Sequence, residues 1–436
     1  MDALGTDFVS IGSIISGAHN GKTVKIRGWV HRSRTSGGLC FLVLRDSSGT
    51  IQCAVKKDIA GDSAFAAASG AFIETSAMVE GTVKEDKRAP GGFELSASAF
   101  ETISQGEPFP ISKDQSTEFL LDVRHLWLRS QKITKIMQAR DHITRYLREF
   151  FFTDGFYEVS PPIITKSACE GGSTLFELNY FGSPAYLSQS GQLYSEAVIA
   201  SLEKVFILAP SFRAEPSRTI RHLAEYWHLE PEMAFYSQKM NMELQEKMLE
   251  SICHRMATNH PDLLQAVGRD PKDLLEVKAP FPRLPYDKAI PKLQELGFSI
   301  EWGQDVGADE EYALTKDTKV PIFLHNHPKD FKAFYMREDP NKPGTVLSAD
   351  LLAPQGHGEI IGGSERIWEY DELAVRMAEQ KMNEEDYKWY VELRKYGSVP
   401  HAGFGLGIER LVKWMLNLEH IRDAIPFPRT INRVYP

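Results

Sequence analysis

A few short strings of charged residues and glycines hold most of the chemistry in this sequence. Phe212-Arg213-Ala214-Glu215 sets a guanidinium two residues from a carboxylate, and Arg218, Arg221, His222 and Leu223 follow after a short polar loop. A guanidinium presents a planar fork of donors to a phosphate, and a carboxylate beside it reads an amino group or holds a metal. The further basic side chains suit the grip of a polyphosphate. Taken alone, the string serves equally as an exposed hairpin with surface ion pairs. A second string, Gly358-Glu359-Ile360-Ile361-Gly362-Gly363-Ser364-Glu365-Arg366, has Asp350 nine residues before Glu359. Both carboxylates are hard oxygen ligands of the kind Mg2+ shares with phosphates. In isolation, a strand ending in a Gly-Gly turn accounts for the same residues.

The third string is Gly403-Phe404-Gly405-Leu406-Gly407-Ile408-Glu409-Arg410. Its spacing departs from the dinucleotide fingerprint, and no βαβ unit precedes it. Its glycines let a strand approach a flat ligand, and the helix that follows opens near Arg410. Close packing of strand on helix is the other use for them. The fourth is a basic cluster near the N-terminus: Lys22, Lys25, Arg27, His31, Arg32 and Arg34, beside Trp29 and Phe41. Cations track a phosphate backbone while aromatic faces stack on splayed bases. The alternative is a solvated strand with both aromatics in a core.

The elements that must position these strings fall into two patterns. Residues 1–105 read as five short strands: Lys22–Val30 alternates with period two, Leu39–Asp46 and Thr50–Val55 follow glycine turns, and two more begin near Ala77 and Phe93. Five strands in that length predict a small closed barrel of the OB type. Gly106-Glu107-Pro108-Phe109-Pro110 opens a linker placed at 106–131. Residues 132–436 begin with an amphipathic helix carrying Ile133, Ile136, Met137, Ile143, Leu147, Phe150 and Phe151. Strands and helices then mix without βαβ order, which predicts an α+β domain with an antiparallel sheet flanked by helices. Residues about 238–280 read as a charged helical insertion against that sheet.

Composition bounds the function classes. The chain has 436 residues, 42% hydrophobic and 25% charged, so it is neither disordered nor collagen-like. No apolar run approaches the ~18–20 residues of a membrane span, and the N-terminus lacks a secretory pattern. Four scattered cysteines without a C-x-x-C pair argue against a disulfide framework or structural zinc and fit a reducing cytoplasm. The net charge of −9 argues against bulk capture of nucleic acid but leaves room for a local basic face.

Together these strings resemble the class II aminoacyl-tRNA synthetases of the aspartyl, asparaginyl and lysyl subgroup. Gly155-Phe156-Tyr157-Glu158-Val159-Ser160-Pro161-Pro162-Ile163-Ile164 resembles the first signature, a dimer-forming element with Pro162 at the proline position. Phe212–Glu215 resembles the second and Gly403–Arg410 the third. The likeness runs from the barrel to the closing Pro426-Phe427-Pro428-Arg429. Within the subgroup it is nearest the asparaginyl enzymes of archaeal and eukaryotic type. Aspartyl enzymes typically read Q-S-P-Q-L-x-K where this chain has Ser188-Gln189-Ser190-Gly191-Gln192-Leu193-Tyr194-Ser195, and that lysine pairs with the substrate carboxylate. Serine at 195 removes the cation, and Glu230 stands where aspartyl enzymes commonly carry aspartate. A neutral amide is favoured by both changes. Ala402 replaces a usual glycine, and Gly362 replaces a serine that helps bind metal in aspartyl relatives.

The resemblance implies a two-step reaction: L-asparagine and ATP give asparaginyl-adenylate, and the acyl group then moves to the 3′ end of tRNA(Asn). It implies Arg213 at the α-phosphate, Glu215 at the adenine amino group or a metal, Arg221 and His222 at the β,γ-phosphates, and Leu223 beside adenine. Gly407, Ile408, Glu409 and Arg410 complete the ATP site, and Arg213, Glu215 and Arg410 are the catalytic set. Glu359, with Asp350 second, would hold Mg2+. Glu170 would take the α-amino group, Arg366 the side-chain carbonyl and Glu230 the amide, with Ser190, Gln192 and Arg213 lining the pocket. In the barrel, Phe41 would stack on an anticodon base, with Gln52, Arg32 and Arg34 reading or anchoring its neighbours. A homodimer without membrane contact is implied. The rivals are an aspartyl enzyme with relaxed tRNA choice, an asparagine synthetase on the same core, and a non-catalytic tRNA-binding paralogue.

Overall fold

Alternation builds the N-terminal barrel. In the computed structural model, which describes residues 1–166, 169, 175–216 and 219–436, the chain divides into two units, Met1–Leu121 and Asp122–Pro436. The first contains β1 (Thr23–Ser36), β2 (Leu39–Arg45), β3 (Thr50–Lys56), β4 (Ser76–Glu85) and β5 (Phe93–Ser104). They close in the order β1-β2-β3-β5-β4, the topology expected of an OB-fold. Along β2, Cys40, Leu42 and Leu44 are buried while Phe41 and Val43 face outward. The inward set joins Ile26, Val30, Ile51, Cys53, Val55, Val79 and Leu95 in a core belonging to the barrel alone. Two features escape a period-two reading. β1 runs on to Ser36, with 32–36 exposed, and an alanine-rich helix, Lys57–Ser69, packs Ala60, Ala64, Phe65 and Ala68 onto the barrel.

The second unit is organised by one large sheet. Its strands are β6 (Tyr157–Glu158), β10 (Lys204–Phe212), β11 (Glu225–Ala234), β12 (Arg283–Pro285), β13 (Ile322–His325), β14 (Ser348–Ala353), β15 (Gly358–Glu365) and β16 (His401–Gly407). Among the described residues their order is β12-β13-β14-β15-β16-β11-β10-β6. A small separate sheet holds β7 (Ile164–Thr165), β8 (Glu177–Tyr180) and β9 (Ser183–Leu187). The large sheet is antiparallel from β13 to β10, as expected, but its outermost pairings, β12 with β13 and β6 with β10, are parallel. A parallel pair requires a crossover. The helix Gln192–Leu202 lies on one crossover, and Tyr286–Glu295 with Ala308–Thr315 on the other.

One face of this sheet carries the main core. The helix Gln131–Thr153 starts where the Ser130 hydroxyl accepts from the Ile133 N–H at 3.3 Å, and it buries Ile133, Ile136, Ile143, Leu147 and Phe151. Each such side chain contributes roughly 1.5–3 kcal/mol on burial. Residues 238–280 differ from the expected charged insertion. Their first helix, Gln238–Asn259, buries Met248, Leu249, Ile252, Cys253 and Met256 in the same core and crosses behind β14, β15 and β16. Apart from the buried Glu246, its charges lie on the more exposed side, which made the segment look peripheral. The expected linker also ends early. Arg124 is buried, donating Nε to the Pro426 carbonyl at 2.8 Å and Nη2 to that of Ile425 at 3.0 Å, so it belongs to the second unit.

Candidate active site

Above the opposite face of the sheet lies a cavity of about 520 Å³. Strand alternation selects its floor: on β11, Leu229 and Met233 enter the core while His228, Glu230 and Glu232 line the cavity. β16 crosses beside them, with His228 in register with Gly407 and Glu232 with Gly403. A Cβ on Gly405 would lie 2.4 Å from His228 Nε2, so only glycine lets the strand pass there. From β15 come Glu359, Gly362, Gly363 and, just beyond its end, Arg366; β14 brings Asp350.

Most of the residues singled out above meet in this space: Ser190, Gln192, Arg213, Arg221, His222, Leu223, Glu230, Asp350, Glu359, Arg366, Gly407, Glu409 and Arg410 all line it. Glu215 lies instead in a small side cleft shared with Arg213, His222 and Leu223. Ile408 is a correction to the expected nucleotide contacts: it is fully buried in the main core. Glu409 reaches the cavity wall, but its carboxylate is engaged by the Trp227 N–H at 2.9 Å and by Arg140 at 2.7 Å. Its role is to tie the third signature to the long helix. Glu170 and Arg218 lie outside the described residues.

Both signs of charge line the cavity, and most of them are paired. At one end Arg213 lies over the Tyr226 ring, 5.7 Å from its centroid. Arg221 pairs with Glu311 at 2.7 Å, and Glu311 in turn accepts the Glu359 N–H at 2.9 Å. Burial and then the nearby Arg410 push His222 below the ordinary histidine range. At the other end Glu230 accepts from the Ser190 hydroxyl, from the Gly191 N–H at 2.9 Å, and has His228 Nδ1 at 3.3 Å. Arg366 is clamped by Glu232 through Nε at 3.0 Å and Nη2 at 2.9 Å, with Nη1 on the Ser364 hydroxyl at 2.7 Å. Burial disfavours that guanidinium charge, but Glu232 more than offsets it and raises the pKa. A guanidinium has five N–H donors, so two remain for a ligand.

Asp350 and Glu359 fit a divalent cation. Asp350 Oδ2 is held by Lys332 at 2.7 Å and by His327 Nε2 at 3.3 Å, and Glu359 Oε2 by Arg410 at 3.1 Å. The remaining oxygens, Oδ1 and Oε1, both turn to the hollow over Gly362, where a Cβ would stand 3.6 and 3.2 Å from them. Two hard oxygens converging on one open point, each oriented from behind, are a donor set suited to Mg2+ shared with phosphate. Serine at 362 would fill the hollow.

Sequence reading missed Tyr226, His228, Asp305, Phe331, Lys332 and Tyr335, all of which line the cavity. His228 was within reach, since it shares strand parity with Glu230. Lys332 and Tyr335 sit in Phe331-Lys332-Ala333-Phe334-Tyr335, a string with no spacing signal, which only the packing of the unit brings to Asp350 and Arg366.

On the barrel, Arg34 is in register with Phe41 and Arg32 with Val43, which in turn faces Gln52. Cross-strand partners share a face, so Arg32, Arg34, Phe41 and Gln52 stand together on the outside of β1-β2-β3. Trp29 is 43% exposed with Arg45 over its ring, which removes the reading that placed it in the barrel core.

Comparison with known proteins decides the family. Residues 116–431 match the model of "tRNA synthetases class II (D, K and N)", and residues 24–103 that of the "OB-fold nucleic acid binding domain". The chain belongs to the class II tRNA synthetases of the D, K and N group. It is an aminoacyl-tRNA ligase. Among similar class II synthetases, the asparagine–tRNA ligase of Thermoplasma acidophilum is 50% identical over 428 residues, 98% of this chain and 100% of that one. The asparagine–tRNA ligase of Thermococcus kodakarensis is 52% identical over 417 residues, 95% and 96% of the two chains. The crystal structure of asparaginyl-tRNA synthetase from Pyrococcus horikoshii complexed with asparaginyl-adenylate superposes with a TM-score of 0.96 at 47% identity, covering 99% of this chain and 100% of that one.

Proposed function

We propose that this synthetase activates L-asparagine with ATP to asparaginyl-adenylate, releasing pyrophosphate, and then transfers the asparaginyl group to the 3′ end of tRNA(Asn). The observation that carries the reading is the amino-acid end of the cavity. It offers an acceptor, Glu230, and a donor, Arg366, while Ser195, at the position where aspartyl enzymes carry a lysine, is buried and not among the lining residues. A side-chain amide satisfies both, whereas aspartate would set a second carboxylate near Glu230 with no lysine to offset it. The similarity to asparagine–tRNA ligases supports the same choice.

In the first step a carboxylate oxygen of asparagine attacks the α-phosphorus in line, the new P–O bond forms, and pyrophosphate leaves with its electron pair. No covalent nucleophile from the protein is required, so the task is positioning and charge neutralisation. Arg213 takes charge at the α-phosphate, Arg221 and His222 at the β,γ-phosphates, and Arg410 clamps the nucleotide from the start of its helix. Leu223 and Glu215 border the adenine, where a carboxylate accepts from the amino group. Glu359 and Asp350 would hold Mg2+, which when bound supplies further neutralisation at the phosphates. Ser190 and Gln192 line the amino-acid site. In the second step a ribose hydroxyl of the tRNA terminus attacks the asparaginyl carbonyl and AMP departs.

Residues 1–105 serve as the anticodon reader, Phe41 stacking on a base while Gln52, Arg32 and Arg34 read or anchor its neighbours. Residues 132–436 carry catalysis. A homodimer fits the segment around β6, the edge strand of the large sheet, where Tyr157 on that strand and Phe152, Ile163 and Ile164 near it in sequence are exposed. No helix among the described residues is long and apolar enough to cross a membrane, and the four cysteines are unpaired, which supports a place in the cytoplasm.

The test is amino-acid-dependent ATP–pyrophosphate exchange with asparagine and aspartate side by side. Exchange with asparagine alone is expected. Exchange with aspartate instead would overturn the amide pocket, and exchange with neither would overturn the reaction.

A further inference from the structure

Beneath the amino-acid end of the cavity lies a layer of buried charge that the reaction set out above does not use. Glu196 sits one helical turn beyond Gln192, and its side chain is fully buried. Its Oε1 accepts from Gln192 Nε2 at 3.0 Å. Its Oε2 accepts from the Tyr390 hydroxyl at 2.7 Å and from Arg394, with His401 Nε2 at 3.1 Å. Glu196, Glu232 and His401 are close enough to share a metal ion, but the guanidinium groups of Arg394 and Arg366 already occupy the two carboxylates. The cluster is a closed ionic network instead.

Such a network can transmit orientation. Burial opposes the Glu196 charge, yet Arg394, His401 and Arg366 together hold its carboxyl well below the usual carboxylate range. An ionised carboxylate only accepts hydrogen bonds, so the Gln192 amide must turn its NH2 toward Glu196 and its Oε1 away. Gln192 lines the cavity, and no hydrogen-bond partner for that oxygen is found among the described residues. We infer that Glu196 is a positioning residue for the amino-acid site, fixing the Gln192 amide so that Oε1 faces the cavity and accepts from an N–H group of the substrate.

This rests on asparagine activation, and a parent enzyme without asparagine-dependent exchange would refute that reading rather than this one. The test is a double-mutant cycle read by exchange kinetics on the full chain. In Glu196→Gln the new amide accepts or donates equally, so Gln192 is free to flip and present NH2 to a donor. The asparagine KM is expected to rise about tenfold with kcat little changed. Gln192→Leu is expected to do the same, and adding Glu196→Gln to it should have no further effect on KM. Equal losses from Glu196→Gln with and without Gln192 would overturn the proposal, because Glu196 would then act only on stability. Should Glu196→Gln not fold, Gln192→Leu alone decides: an unchanged asparagine KM overturns it. Inhibition by succinamate, which is asparagine without its ammonium group, identifies the donor. Weaker inhibition of Gln192→Leu assigns the side-chain amide, and unchanged inhibition assigns the ammonium.

Discussion

The outer face of the barrel and the cavity of the catalytic unit both gather charged and aromatic residues, but by different physics. On the barrel, Arg32, Arg34, Phe41 and Gln52 come from three consecutive strands and share an outward face. Water solvates their charges, and alternation alone brings them together. In the cavity, groups between Ser190 and Arg410 converge from distant strands and loops. Buried charges there need partners: Glu232 for Arg366, Glu311 for Arg221, Lys332 for Asp350. Exposed pairs contribute about 0–1 kcal/mol. Breaking a buried pair costs several times more. The barrel face is therefore open to change, whereas the cavity is a mutually dependent set.

That contrast can be broken in four ways. The largest effect on activity is expected from Arg213→Ala, which should lower exchange by about 10²- to 10³-fold with the melting temperature little changed. Retained exchange would remove Arg213 from the α-phosphate. Glu232→Gln should cost about 3–5 kcal/mol of stability, because it leaves the buried Arg366 with half its clamp. Urea unfolding checks this, and a parent-like midpoint would show that the cavity tolerates change as the barrel face does. Phe41→Ala should reduce tRNA charging by about 5- to 150-fold, the value of one stacked base, while tRNA-independent exchange stays within about twofold. A matching loss in exchange would mean that the barrel core had been disturbed.

The last effect is a pH dependence away from the cavity lining. Burial, and then the neighbouring Arg221, push the Lys413 ammonium down to about 8, against ~10.4 in an unfolded chain. Between those values the unfolded chain binds the extra proton, so this residue makes stability rise with pH through that window and adds no slope below it. Lys413→Met should flatten the rise in melting temperature between about pH 8 and about pH 10. An unaltered slope would place the titration elsewhere.

Patterning made the barrel legible almost strand for strand, since inward and outward residues alternate along β1, β2 and β3. The helix Lys57–Ser69 was not, because its small alanines carry little periodic signal. In the catalytic unit the second and third signatures marked Arg213 and Arg410, and two further strings marked Glu230 and Glu359, all four of which line the cavity. The third signature misplaced Ile408, because a residue adjacent to a site in sequence can face the core. The charge of 238–280 led that segment to be underrated, because a charged helix can bury its other side.

By itself the sequence determined the two-part architecture, the family and the chemical character of the ligand groups, because these depend on local period, on turn residues and on short strings. Only the tertiary structure decided which oxygen of Asp350 and Glu359 is open, which guanidinium Glu232 holds, and that Glu196 sets the Gln192 amide. Each rests on a partner from elsewhere in the chain: Lys332 for Asp350, Arg410 for Glu359, Arg366 for Glu232 and Arg394 for Glu196. Their geometry is fixed by the need of each buried charge to find a partner once water is gone.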